Sequence, residues 1–170
     1  MADRSQSESA LVLFSERLTN SAAFGVLFRE GMDLVEETAA YLDGDGRTEA
    51  KALERSVSLT YATESMRLTT RLMQLASWLL LHRAVKEGEM TLTQANREKT
   101  KVKLTAADPG SEDMIAKLPQ QLQDLIARSM SLQTRVRRLD TTIHAPSAER
   151  APIGNPLVPQ LNRLKAAFEQ

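Results

Sequence analysis

The chain has no cysteine, two histidines (His82 and His144), one tryptophan and no excess of charge of either sign. Each scarcity excludes something. Without thiols there is no disulfide, no iron–sulfur cluster and no thiolate zinc site. The 22 Lys and Arg balance the 22 Asp and Glu over 170 residues. That balance argues against a dedicated nucleic-acid binder, which needs surplus cations to replace phosphate counterions. It also removes the electrostatic pull toward an anionic membrane. Neither histidine has a carboxylate or a second histidine at ligand spacing. No glycine-rich phosphate loop, nucleophile elbow or zinc-protease motif occurs. The expectation is a non-enzyme with no catalytic residues, no metal and no cofactor.

Long apolar runs are missing too. The richest stretch, Leu72–Leu81, has only Gln74 and Ser77 as polar members, and a bilayer span needs about 20 apolar residues. The start, MADRSQSESALVLF, lacks a basic segment followed by an apolar one, so no signal peptide is expected and the cytoplasm is the expected location.

What the chain does have is helical periodicity. Between Leu18 and His144 no run alternates as a strand would, and four of the six prolines fall after residue 145. This predicts an all-α fold: a partly ordered segment over 1–20, a three-helix bundle over 21–144 and a proline-containing mobile tail over 145–170. The first helix is expected over Ser21–Leu42. Phe24, Leu27, Phe28, Gly31, Leu34, Val35, Thr38 and Leu42 form one stripe opposite Arg29, Glu30, Asp33, Glu36 and Glu37. Asn20 or Ser21 can cap it, and Gly44 and Gly46 can end it in left-handed conformations. Gly31 within the stripe costs roughly 1 kcal/mol against alanine and points to a closely approaching neighbour helix.

The second helix is predicted over Thr48–Lys86 as one long central rod. Leu53, Val57, Tyr61, Leu68, Leu72, Leu75 and Leu79 share one face. Leu59, Ala62, Met66, Met73, Ala76 and Leu80 share an adjacent one, leaving Glu64, Arg67, Arg71 and Gln74 for the remainder. Two apolar faces call for two neighbours, which a three-helix bundle supplies. Trp78 and Leu81 fall outside both faces. Burying such side chains is worth about 1.5–3 kcal/mol each, so a second copy of the chain is expected to cover them. The predicted dimer interface is Leu75, Trp78, Leu79 and Leu81. The third helix, announced by Ser111-Glu-Asp and Pro119, carries a 4-3-4-3 seam from Leu118 through Leu122, Leu125, Ser129, Leu132, Val136, Leu139 and Ile143, widened by Ile126 and Met130. Between the second and third helices a short helix is expected over Thr93–Thr100, with the rest of 88–110 crossing over the end of the bundle.

Other groups carry weaker chemistry. Asp43–Glu54 has carboxylates at the first, third and twelfth places of a calcium loop, but Arg47 at a ligand place and Thr48 where glycine is required defeat the motif. Arg97, Lys99, Lys101 and Lys103 form one basic group, and Arg128, Arg135, Arg137 and Arg138 another. Neither has aromatic neighbours for stacking on bases, so both read as ordinary surface charge or as a contact patch for an acidic partner, with the second group the candidate for partner contacts. Leu157, Leu161, Leu164 and Phe168 form an amphipathic patch in the tail, suited to docking on a partner. Met66, Met73 and Met130 could line an adaptable pocket for a small apolar ligand, although core packing is the simpler expectation for them. A dimeric regulator of other partners is a further alternative.

Three blocks also carry a family resemblance: FREGMDLVEETAAYLDG at 28–44, RLMQLASWLLL at 71–81 and RVRRLD at 135–140. Over roughly residues 14–143 the chain resembles the DUF1465 family. The resemblance implies a dimeric three-helix bundle with a mobile C-terminal tail. It further implies a non-catalytic adaptor that delivers cell-cycle regulator substrates to the ClpXP protease once a response regulator has primed the unfoldase, and that binds further adaptors. Neither nucleic acid nor membrane is among the implied partners.

Overall fold

A computed structural model describes residues 21–99 and 110–144. Six helices and no strand occur among the described residues: α1 (Ala22–Asp43), α2 (Asp45–Lys51), α3 (Arg55–Lys86), α4 (Leu92–Lys99), α5 (Glu112–Ile115) and α6 (Gln120–His144). The long helices α1, α3 and α6 form the expected three-helix bundle, and all three share one apolar core.

Ser21 caps α1 by accepting a hydrogen bond from the Phe24 amide at 3.3 Å. Along α1 the expected stripe turns inward, with Phe24, Gly31, Leu34, Thr38 and Tyr41 buried. A Cβ at Gly31 would collide with the Leu79 side chain of α3. The stripe glycine is therefore there for close approach, as its position predicts.

The predicted rod over 48–86 is broken. Ala52 and Leu53 close tight turns onto Glu49 and Ala50, and Glu54 is extended (φ −59°, ψ 153°). The corner is packed rather than merely flexible. Gly46 is buried, and a Cβ there would lie 2.5 Å from the Tyr61 hydroxyl. Tyr41 donates to Glu49 across the same corner at 2.7 Å. Neither Gly44 nor Gly46 is left-handed; among the described residues only Gly88 has a positive φ, at 76°.

On α6 the seam holds as predicted. Leu118, Leu122, Leu125, Ser129, Leu132, Val136 and Ile143 are buried and Leu139 is half-buried. Its direction was not foreseen. Glu30 pairs with Arg135 and Glu37 with Arg128, so α1 and α6 are antiparallel. Arg71 bonds Ser129 and Trp78 bonds Asp140, so α3 and α6 run parallel. Parallel helices cannot be joined by a short turn. The two described ends of the connection accordingly lie far apart along the bundle, and residues 100–109 between them lie outside the described residues. Ala95 of α4 is fully buried, Lys99 reaches Asp140 at 2.7 Å, and Gly110 donates its amide to Glu64 at 3.1 Å.

Candidate functional site

The 32 residues of α3 make a helix about 48 Å long. Its inner face is Val57, Tyr61, Leu68, Leu72, Leu75 and Leu79, all buried, in agreement with one of the two predicted stripes. The other stripe faces outward. Leu59 is 71% exposed, Met66 72%, Met73 66% and Leu80 52%. No described helix covers them. In their place, the strip that carries Glu64 and Arg71 packs against α6 and the Gly110 end of the connection, and both side chains are buried. The assignment of the second neighbour to the apolar stripe is thereby corrected: α6 covers the polar one.

Trp78 likewise is not available to a second subunit. It is 1% exposed within a single chain. Its ring stacks on His82 at 3.9 Å and leans on Phe24 at 6.3 Å. Its indole N–H donates to Asp140 at 2.8 Å. Leu75 and Leu79 are buried beside it, and Leu81 is half-buried. Leu75, Trp78 and Leu79 of the predicted interface are thus core, because α1 and α6 together enclose the angular sector in which Trp78 stands, and only Leu81 keeps part of its surface. His82, expected as a helix-end residue, is fully buried, with Nδ1 2.9 Å from the Trp78 carbonyl oxygen.

The outer face has a composition unlike ordinary surface. From Ser56 to His82 the only charged residues are Glu64, Arg67 and Arg71, and none lies on the outward stripe. Leu59, Met66, Met73 and Leu80 recur every seven residues, with Ala62, Thr69 and Ala76 three places after the first three of them. That is the spacing of a coiled-coil seam. Its flanking hydroxyls are already satisfied: Thr63 donates to the Leu59 carbonyl, Thr69 to Ser65 and Ser77 to Met73. A partner that covers this face need not supply acceptors for them. Leu59 and Ala62 also line an open groove with Arg55, Ser56 and Ser58.

The basic candidates separate. Arg128 bridges to Glu37 at 2.8 Å, and Arg135 makes a two-pronged pair with Glu30. That hydrogen bond from Arg135, outweighing a small burial effect, holds the Glu30 carboxyl below its ordinary value. Arg137 is half-buried and Arg138 exposed. The four do not form one patch, because Arg128 and Arg135 are spent on α1. Lys99 sits on Asp140, while Lys101 and Lys103 lie outside the described residues. So do Leu157, Leu161, Leu164 and Phe168. Met66 and Met73 are on the outer surface and Met130 is half-buried on α6, so the three do not line one pocket. Among the described residues no group of three or more His, Asp or Glu is placed to hold a metal. Nor is any helix there long and apolar enough to cross a membrane.

Residue-level reasoning missed Glu64, Arg71 and Asp140 as interior groups. The available signal was the isolation of Glu64 and Arg71 in an otherwise nearly chargeless helix, in line with Trp78 at seven-residue intervals.

Comparison with known proteins agrees with this architecture. No curated protein matches the chain. The crystal structure of RcdA from Caulobacter crescentus CB15 is similar to it, with 49% sequence identity, 78% of this chain and 99% of that chain covered, and a TM-score of 0.64. A family model described as "Protein of unknown function (DUF1465)" matches residues 15–168. The match thus runs past the bundle and through the apolar positions up to Phe168. This RcdA-like chain belongs to the DUF1465 family.

Proposed function

We propose that this protein is a non-catalytic adaptor that helps deliver cell-cycle regulator substrates to the ClpXP protease, and that the outer face of α3 is its principal contact surface. Family membership and likeness to RcdA support the first part. The second rests on the exposed, chargeless seam Leu59–Met66–Met73–Leu80. A row of four large apolar side chains spanning about 32 Å along a helix is what a partner helix would bury. With no charge of either sign, the face is complementary to a second copy of itself, which supports a homodimer as its occupant. Delivery then works by raising the local concentration of a bound substrate at the protease, without chemistry of its own.

The test is a reconstituted degradation reaction containing ClpXP, its priming response regulator and a fluorescent substrate, with wild type or Met66→Glu/Met73→Glu. The double variant is expected to be monomeric in light scattering, to keep its melting temperature within about 3 °C because both sites are exposed, and to lose substrate delivery. A folded variant that still dimerises and delivers would remove the face from the reading. A wild-type protein that stimulates no substrate would remove the adaptor role.

A further inference from the structure

The outward stripe of α3 has two rows of different size. Leu59, Met66, Met73 and Leu80 stand out as an exposed ridge. Beside them Ala62, Thr69 and Ala76 form a row of small side chains, the first two exposed and the third half-buried. Arg83 continues that row by the same seven-residue step, and its guanidinium lies over the Phe28 ring of α1 at 4.9 Å. The small row therefore borders α1, where Phe28, Met32 and Val35 share a face and are half-buried against the core. Small side chains between two apolar walls make a trough that a further helix can fill with its own large residues.

Such residues occur in the chain beyond α6. Leu157, Leu161, Leu164 and Phe168 recur at 4-3-4, the step of the seam itself, while Arg163, Lys165 and Glu169 fall off that stripe. Burying the stripe in a chargeless trough therefore desolvates no charge. Pro159 falls within the first turn of such a helix, where its missing N–H costs nothing. The point of departure also suits. α6 ends at His144, one turn past Asp140, and Asp140 bonds Trp78 in the last third of α3. Twelve residues separate His144 from Leu157, a reach of up to about 40 Å, and α3 itself is only about 10–12 Å across. The family match, which runs to residue 168, includes the whole stripe.

We infer that residues 157–168 of the same chain form an amphipathic helix that docks in the trough between α1 and α3, at its Met73 and Leu80 end. This assignment, which rests on the α3 face being the contact surface proposed above, makes the tail a tethered competitor: a second copy or a partner helix must displace it. A helix over 157–168 is about 18 Å long, so Leu59 and its surroundings stay open for first contact. A tail that holds the face about 90% of the time weakens every such partner about tenfold.

The test uses the full chain, whose lack of cysteine lets Thr70→Cys, exposed beside the ridge, carry a single nitroxide outside the trough. Leu59→Glu, at the open end, is added to hinder self-association. In a sample bearing both the nitroxide and nitrogen-15, the amide signals of residues 157–168 are expected to lose more than half their intensity. In a mixture of nitroxide-bearing unlabelled chain with nitrogen-15 chain lacking the nitroxide, they are expected to keep it, which marks the contact as intramolecular. Leu161→Asp/Leu164→Asp should abolish the loss and, with Leu59 and Thr70 restored, tighten self-association about tenfold in sedimentation equilibrium. Tail signals untouched by the nitroxide would overturn the inference, yet leave the contact surface standing if Met66→Glu/Met73→Glu still separates a dimer. A loss as large in the mixture would put another copy's tail in the trough. Self-association unchanged by Leu161→Asp/Leu164→Asp would show that the tail does not compete. Either of these also overturns it.

Discussion

Asp140 helps to hold the end of the bundle together through contacts to Trp78 and Lys99, and removing its carboxylate has a calculable cost. Oδ1 accepts the Trp78 indole N–H at 2.8 Å and Oδ2 accepts from the Lys99 ammonium at 2.7 Å. In Asp140→Ala the indole nitrogen keeps no acceptor while its ring remains 1% exposed, which costs about 1–3 kcal/mol. Lys99, with 22% of its side chain exposed, can turn to water, so its lost bridge adds less than about 1 kcal/mol. The sum is about 2 kcal/mol, or a fall of roughly 4–8 °C in melting temperature for a domain of this size. Asp140→Asn keeps an oxygen for the indole and should lose under about 1 kcal/mol. Urea unfolding followed by tryptophan fluorescence measures both, because Trp78 is the only tryptophan and reports its own site. If Asp140→Ala is within about 0.5 kcal/mol of wild type, the indole bond contributes nothing net. If Asp140→Asn is as damaging as Asp140→Ala, the ion pair and not the indole is the important partner. Either result would refute the ranking.

Two further outcomes are expected. Gly31→Leu should lower the melting temperature by several degrees in calorimetry, because the new side chain must displace Leu79 of α3, and overpacking costs about 1–3 kcal/mol; an unchanged melt would mean the helices separate there at no cost. The Glu30–Arg135 pair, with side chains 38% and 41% exposed, should contribute less than about 0.5 kcal/mol after solvent screening. Because Arg135 lowers the Glu30 carboxyl from 4.5 in the folded state, that contribution is complete above pH 4.5 and fades as the pH falls through the folded value. Urea midpoints of wild type and Arg135→Gln should accordingly converge on acidification and differ near neutrality.

The comparison of these elements with the linear chain shows what a one-dimensional pattern carries. The stripe of α1, the 4-3-4-3 seam of α6 and the tight spot at Gly31 were all legible, because each is set by which residues share a face of a single helix. The break at Ala52–Glu54 was not, since it depends on Tyr41 and Tyr61 closing over Gly46 from two different helices.

For α3 the pattern was ambiguous in a deeper way. Its periodicity defines two apolar stripes and one polar strip, and periodicity contains no information about which two of the three meet a neighbour. That was decided when α6 docked parallel to α3, with α4 and Gly110 packed beside α3. The docking drew Glu64, Arg71 and Trp78 inward to hydrogen-bond partners on other elements, and left Leu59, Met66, Met73 and Leu80 outside. The amino-acid order determined the helices, their faces and the surplus of apolar circumference on the longest one. Only the packing of the third helix decided where that surplus would be displayed, because a helix direction is chosen by contacts between segments far apart in the chain.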